Sequence, residues 1–333
     1  MELEGRHCVV TGGAGFVGSH VVDRLVAMGN EVTVIDDLST GDLANIAPHL
    51  ARGCVRFIEG DVCDPDAMER AMRGAEVVIH MAVACVRASI NYPRLVHDVN
   101  ATGTLVACQA ALQNGVERFV YVSSSEVYGG AHYVPVDEDH PLNPTNVYGA
   151  SKAAGEMYAL ATWRTHGLPA MVVRFFNVYG PREHCEGIPA EVIPRFVLRV
   201  LAGQPPIIFG NGEQTRDYTW VDDSVAGLIA ATKCDALVGD IVHLGRGQET
   251  SVNTLAQLVL QKLGREDLEP IYLGSDRPGD VPRLRANTAK ARNLFGFDPQ
   301  VSVEEGLDRF IAWVQEYGPE PVAWAERQAV ENW

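Results

Sequence analysis

The stretch "HCVVTGGAGFVG", His7 to Gly18, decides the fold. "HCVVT" (His7–Thr11) is short, apolar and β-branched and stops at glycines, the pattern of a strand buried on both faces. The period then changes: Phe16, Val17, Val21 and Leu25 recur at helical spacing within 15–28. A strand feeding a glycine turn and then a helix is the first half of a βαβ unit. Gly12, Gly15 and Gly18 leave GxxGxxG spacing. Such glycines let the backbone approach an anion, and the helix N-terminus offers unpaired N–H groups and positive potential. Taken alone they also suit a flexible turn.

The alternation continues outward. "EVTVID" (31–36), "VRFIEGD" (55–61), "VVIH" (77–80), "RFVYVS" (118–123) and "AMVVRFFN" (170–177) read as strands. Helical spacing covers 65–72, 94–114 and 147–166. Strands alternating with helices imply an α/β chain with a parallel, doubly wound sheet. After Asn177 glycine and proline become frequent, with helical stretches at 192–201, 222–231, 252–262 and 303–313. Residues 1–177 are expected to bind a dinucleotide, and 178–333 to form mainly a smaller α/β substrate-binding lobe interleaved with the first. The last residues, "PEPVAWAERQAVENW" (319–333), read as a loosely packed tail.

Asp36 ends the second strand, 18 residues past Gly18. A carboxylate there binds a ribose 2′-hydroxyl and repels a 2′-phosphate, which favours NAD over NADP. In "DDLSTG" it also suits a turn. Asp61, after the third strand, could reach an adenine edge. The chain carries 27 Lys+Arg against 43 Asp+Glu, a net charge of -16 that disfavours nucleic acid as a partner. Cys8, Cys54, Cys63, Cys85, Cys108, Cys185 and Cys234 show no metal-ligand spacing and suit a reducing cytoplasm. No metal site is expected. No apolar run approaches the ~18 residues of a membrane span, and the first residues enter a strand without a leader pattern.

Chemistry enters with "SSSEVYG" (123–129) and "YGASK" (148–152). Tyr148 and Lys152 share one helix face. On a surface the pair is ordinary. Beside a nicotinamide, a lysine ammonium lowers the tyrosine pKa from near 10, so that the phenol serves as base for a carbinol proton. A serine ending the neighbouring strand can bind the same oxygen.

The ordered set "TGGAGFVGSH", "DDLSTG", "GDV", "SSSEVYG", "YGASK", "RFFNVYGPR", "QTRDYTWVDD" and "RPGDVPRLRA" resembles the extended short-chain dehydrogenase/reductases, in their sugar-nucleotide epimerase/dehydratase branch. The resemblance runs from residue 11 to about 290. It implies a Rossmann-like domain and a tightly held NAD recycled within each turnover. Ser124, Tyr148 and Lys152 become the catalytic three. Gly12, Gly15, Phe16, Val17, Gly18, Asp36, Asp37, Asp61, Val62, Asn100 and Ser123, with Tyr148 and Lys152, would touch the cofactor. On the nucleotide-sugar side it implies Arg216 and Arg277 for the diphosphate, Asp280 for a ribose hydroxyl and Asn177 for pyrophosphate or sugar. Val83, Arg87, Arg182, Ile193 and Leu284 would stand near the sugar. A homodimer through helices 94–114 and 147–166 is implied.

Three outcomes share oxidation at a sugar C4. Dehydratases of the family carry Asp-Glu where this chain has Ser125 and Glu126. The acid is missing and the base is present, which leaves open a 4,6-dehydratase or a UDP-glucuronate decarboxylase-like enzyme using Glu126. "RPGDV" resembles the epimerases more, so the favoured reading is an NDP-sugar 4-epimerase acting on a UDP-hexose. A 4-keto-sugar reductase and a non-catalytic NAD-binding regulator remain alternatives. Leu284 stands where epimerases that exclude N-acetyl sugars often have Tyr, which suggests tolerance of an N-acetyl group. The segment "REHCEGIPAEV" (182–192) is unusual, and Arg182 or His184 is a candidate to meet a sugar substituent such as a carboxylate.

Overall fold

The computed structural model describes residues 1–275 and 277–329. The chain opens with β1 (His7–Thr11), α1 (Phe16–Ala27), β2 (Glu31–Asp36), α2 (Ala47–Ala51), β3 (Val55–Glu59), α3 (Pro65–Met72) and β4 (Val77–His80). It continues through α4 (Ala88–Asn91), α5 (Pro93–His97), α6 (Gly103–Gln113), β5 (Arg118–Ser124), α7 (Val147–His166) and β6 (Ala170–Phe175). β7 (Asn177–Tyr179), α8 (Val192–Leu201), β8 (Ile207–Ile208), β9 (Thr215–Arg216), β10 (Tyr218–Trp220), α9 (Val221–Lys233) and β11 (Ile241–Leu244) follow. β12 (Thr250–Ser251), α10 (Val252–Lys262), β13 (Ile271–Tyr272), α11 (Ala289–Phe295), α12 (Val303–Tyr317) and α13 (Pro321–Arg327) complete the order.

Seven strands form one sheet in the order β11-β6-β5-β4-β1-β2-β3. Every neighbouring pair is parallel. The order reverses direction between β1 and β4, so a crevice opens beyond their carboxyl ends, where such sheets bind ligands. Each sheet face has its own core. Val10, Val22 and Leu25 pack on one side with Phe310 and Trp324. Val9, Met68, Cys108 and Phe119 pack on the other.

β11 is the strand of the seven-stranded sheet that the sequence reading missed. "IVHL" pairs with β6, so a segment from beyond residue 178 completes the sheet. The expected strand 170–177 is two elements, because Asn177–Tyr179 leaves β6 to pair with β10. The expected helix 94–114 contains a π turn at Asp98–Thr102. Asn100 in that turn bonds Ala84 N (2.9 Å), Ala84 O (3.1 Å) and Ser151 Oγ (3.0 Å). α7 is fastened to β6 by Arg174, whose Nε and Nη2 donate to Glu156 at 2.8 and 2.6 Å, both side chains being buried.

The expected loose tail is instead structured over α13. Trp324 is fully buried and its Nε1 donates to Cys185 O at 2.7 Å. Arg327 pairs with Glu186 at 2.8 Å. Residues 330–333 of that expectation lie outside the described residues. Among the described residues no helix is long and apolar enough to cross a membrane, and no His/Cys/Asp/Glu group could hold a metal ion.

Candidate active site

A cleft of about 770 Å³ runs over the carboxyl edge of the sheet. Gly12, Gly15, Phe16, Val17 and Gly18 line its floor. Two glycines are dictated by close approach. A Cβ on Gly18 would lie 2.1 Å from Gly12 O, and one on Gly12, at φ +69°, 2.9 Å from Ala82 Cα. α1 has no side-chain cap, so its first N–H groups face the cleft.

A buried relay fixes the neighbouring strand ends. Thr11 Oγ1 accepts from Met81 N and Ala82 N, each at 3.0 Å, so its proton goes to His80 Nδ1 at 2.8 Å. The opposite ring N–H then donates to Thr104 Oγ1 (3.1 Å), which donates to Asn100 O (2.6 Å). Burial pushes His80 down to about 3, so the ring stays neutral.

Asp36, Asp37, Asp61 and Val62 line the far end. Asp36 accepts Ala14 N–H at 3.0 Å and Leu38 N–H at 2.9 Å. These bonds oppose the rise in pKa that burial imposes. Asp36 thus serves the turn, and two of its acceptor sites remain for a ribose hydroxyl. Ser123 Oγ lines the cleft, buried and without a partner. An uncapped helix terminus, a carboxylate ending β2 and an orphaned hydroxyl together fit a dinucleotide without a 2′-phosphate.

Ser124, Tyr148 and Lys152 meet in the middle of this cleft. Ser124 Oγ accepts Glu126 N–H at 3.2 Å and lies near enough to the Tyr148 phenol to offset part of the rise that burial imposes on it. Asn146 starts α7 by accepting Gly149 N–H at 2.8 Å, and its amide donates to Glu126 at 3.1 Å. Burial pushes Tyr148 well above the usual phenol range. Burial also pushes Lys152 down to about 7, against the opposing charge of Glu156. The expectation that lysine lowers the phenol pKa is not met in the chain by itself. Lys152 Nζ donates to Val122 O at 2.6 Å and lies 4.5 Å over the Tyr121 ring, so its charge is spent there.

Asn177, Val83, Ile193, Arg216, Arg277 and Asp280 line the remaining part. Arg216 donates to Thr215 O and Val281 O, each at 2.8 Å, and forms a close ion pair with Asp280. Arg277 keeps a buried Nε without a partner.

Three expectations are corrected and one is qualified. Arg87 reaches the cleft, but its guanidinium is buried and donates to Ile188 O, Pro189 O and Glu191. Arg182 points away, to Asp23 (2.8 Å) and Ser19 Oγ (3.1 Å) on α1. Leu284 is fully buried in a core with Val127, Tyr128 and Val136, which removes the basis for the N-acetyl argument. Asn100 is not on the cleft wall; the π turn commits its side chain to Ala84 and Ser151. Conversely Glu183, His184 and Glu191 line the cleft, as does Asn146, whose place just ahead of a helical run is a readable N-cap signal.

Fold and cleft together define a nucleotide-binding redox site of the Rossmann class. The model of the NAD dependent epimerase/dehydratase family matches residues 8–245, and the chain belongs to that family. It is 38% identical over 310 residues to a putative UDP-glucose 4-epimerase of Methanocaldococcus jannaschii, covering 92% of this chain and 98% of the relative. A UDP-glucose 4-epimerase structure with UDP-glucose, from Thermotoga maritima, superposes with TM-score 0.87 at 35% identity, covering 93% of this chain and 99% of that one. A dTDP-glucose 4,6-dehydratase structure from Streptomyces venezuelae, with NAD bound, gives TM-score 0.87 at 34% identity, covering 93% and 97%.

Proposed function

We propose that the chain is an NAD-dependent epimerase that inverts C4 of a nucleoside-diphosphate hexose, most simply a UDP-hexose. The observation that carries this reading is the meeting of Tyr148, Ser124 and Lys152 with Arg216, Arg277 and Asp280 in one cleft. The chemistry that bound NAD supplies is acceptance and return of one hydride. Tyr148 takes the C4 hydroxyl proton at its phenol oxygen and returns it at the end. Ser124 donates to the same substrate oxygen, and Lys152 stabilises the phenolate when protonated. Arg277 and Arg216 hold the diphosphate, Asp280 a ribose hydroxyl and Asn177 the pyrophosphate or sugar. Between the two proton transfers the 4-keto sugar turns and presents its other face. Residues 1–177 serve mainly the cofactor and 178–333 mainly the sugar nucleotide.

One observation favours a second reading. Glu126 lines the cleft, held by Asn146 and with its pKa raised by burial, as suits the C5 base of a dehydratase or decarboxylase-like enzyme. Ser125 beside it offers no acid for a departing C6 hydroxyl, which weighs toward epimerisation. A panel of UDP-, dTDP-, GDP- and CDP-sugars read by mass spectrometry and NMR separates these outcomes. Unchanged mass with inverted C4 is expected. Loss of water or carbon dioxide would select the rival, and steady consumption of added NADH would select a reductase.

We also infer a homodimer. Leu95 on α5, Leu105 and Leu112 on α6 and Met157 on α7 leave an apolar stripe exposed along these helices. Seven unpaired thiols support a cytoplasmic setting.

A further inference from the structure

We propose that the sugar end of this cleft selects an uncharged hexosyl group and rejects a uronate, because the guanidinium that stands there is neutralised by Glu191. The inference rests on the nucleotide-sugar reading above and adds the class of sugar.

Arg87 arrives from the loop after β4, and Glu191 is the N-cap residue of α8. Both line the cleft. They share that cleft with Tyr148 and Ser124. Arg87 is 1% exposed. Its Nη1 donates to one Glu191 oxygen at 2.8 Å and its Nη2 pairs with the other at 2.7 Å. Nε and Nη2 also donate to Ile188 O and Pro189 O, each at 2.6 Å. With four of its five N–H groups engaged by the protein in fixed fork geometry, this guanidinium has no pair of N–H groups left to grip a carboxylate on two points.

The surroundings offer no substitute. Glu183, 4% exposed, adds to the same wall a carboxyl that burial holds well above the usual carboxylate range, and so uncharged, and that accepts Gly180 N–H at 3.3 Å. His184 also lines the wall, and burial lowers its pKa, so it brings no charge at neutral pH. Arg182 is turned to Asp23. Arg277 feels both Glu191 and Asp280, and the doubly charged diphosphate is its stronger partner. A uronate would therefore bring a second negative charge beside Glu191, on a wall whose one cation is already paired, a like-charge juxtaposition that selects against it. Sugar hydroxyls donate, and the carboxyl oxygens of Glu191 and Glu183 accept.

The test is calorimetric titration of the NAD-loaded enzyme with UDP-glucose and UDP-glucuronate, repeated with the dTDP-linked pair. The expected result is binding of the glucose compound roughly tenfold or more tighter than the uronate. Glu191→Gln, which frees Arg87 and removes a charge, narrows that ratio. Glu191→Ala does so as well, and serves alone if Glu191→Gln lacks the wild-type melting transition. Equal or tighter binding of the uronate by the wild type overturns the proposal, as does an unchanged ratio in the folded variants. NMR of the same mixtures keeps the two readings apart. Selective binding of the glucose compound without C4 inversion sinks the epimerase and leaves the selectivity. Inversion of a tightly bound uronate does the reverse. Binding of neither sugar in either pair overturns both.

Discussion

In the proposed reaction Tyr148 and Lys152 carry the chemistry, and each sits where burial disfavours its charged form. Tyr148→Phe is expected to lower turnover roughly 10²–10⁴-fold, the usual worth of a positioned acid–base group, while bound NAD, read by absorbance, is retained. Near-normal turnover would remove Tyr148 from the reaction. Lys152 gives a pH signature. Its folded pKa, about 7, is depressed from 10.5, so between those values the unfolded chain binds one more proton. The penalty of burying the cation is present below pH about 7 and is relieved as pH rises. Wild type should therefore gain stability relative to Lys152→Met between pH 7 and 10 in urea titrations; a flat difference would contradict the buried cation. Spacing placed both residues on one helix face, and only the glycine turn upstream and the serine-rich strand end before them singled the pair out. Arg87, Arg182 and Leu284 were not legible, because what a side chain does depends on which loop the fold lays against it. Arg87 is claimed by carbonyls about a hundred residues downstream.

The elements around the site explain its rigidity. α1 can start where it does only because Gly18 has no side chain, its Cβ position falling 2.1 Å from Gly12 O. Gly18→Ala should destabilise the chain by about 1–3 kcal/mol or more, as overpacking does, and weaken NAD binding; an unchanged melting temperature and unchanged affinity would show that the turn relaxes. α13 braces the 182–191 loop through Trp324 and Arg327. Trp324→Phe keeps most of the bulk and removes one hydrogen bond, worth about 1 kcal/mol. It should raise the substrate KM while leaving NAD affinity alone. Equal KM values would make α13 a passive cover. Periodicity marked α3, α7, α8 and α10 to the residue, since their apolar faces and caps are local signals. It missed β11, a four-residue run too short to separate from a loop, and α13, whose docking rests on one buried tryptophan.

At the scale of the molecule, one sheet edge gathers the ends of β1, β2, β4, β5 and β6 into a single cleft, and the glycine turn with the strand–helix alternation was enough to foresee that. The identity of the sugar was not foreseeable, because its wall comes from the irregular 182–191 loop. The apolar stripe on α5, α6 and α7 should make the particle twice the 36.2 kDa of the chain by light scattering; a monomer would leave that stripe without an occupant. The central claim is that hydride leaves C4 and returns to it with no proton exchanged at carbon. Turnover in deuterium oxide, followed by NMR of the product, tests it most directly. The expected product has inverted C4, unchanged carbon-bound hydrogen and no net NADH. Deuterium at C5, with loss of water, would show that Glu126 acts as a base in a dehydratase and contradict the epimerase.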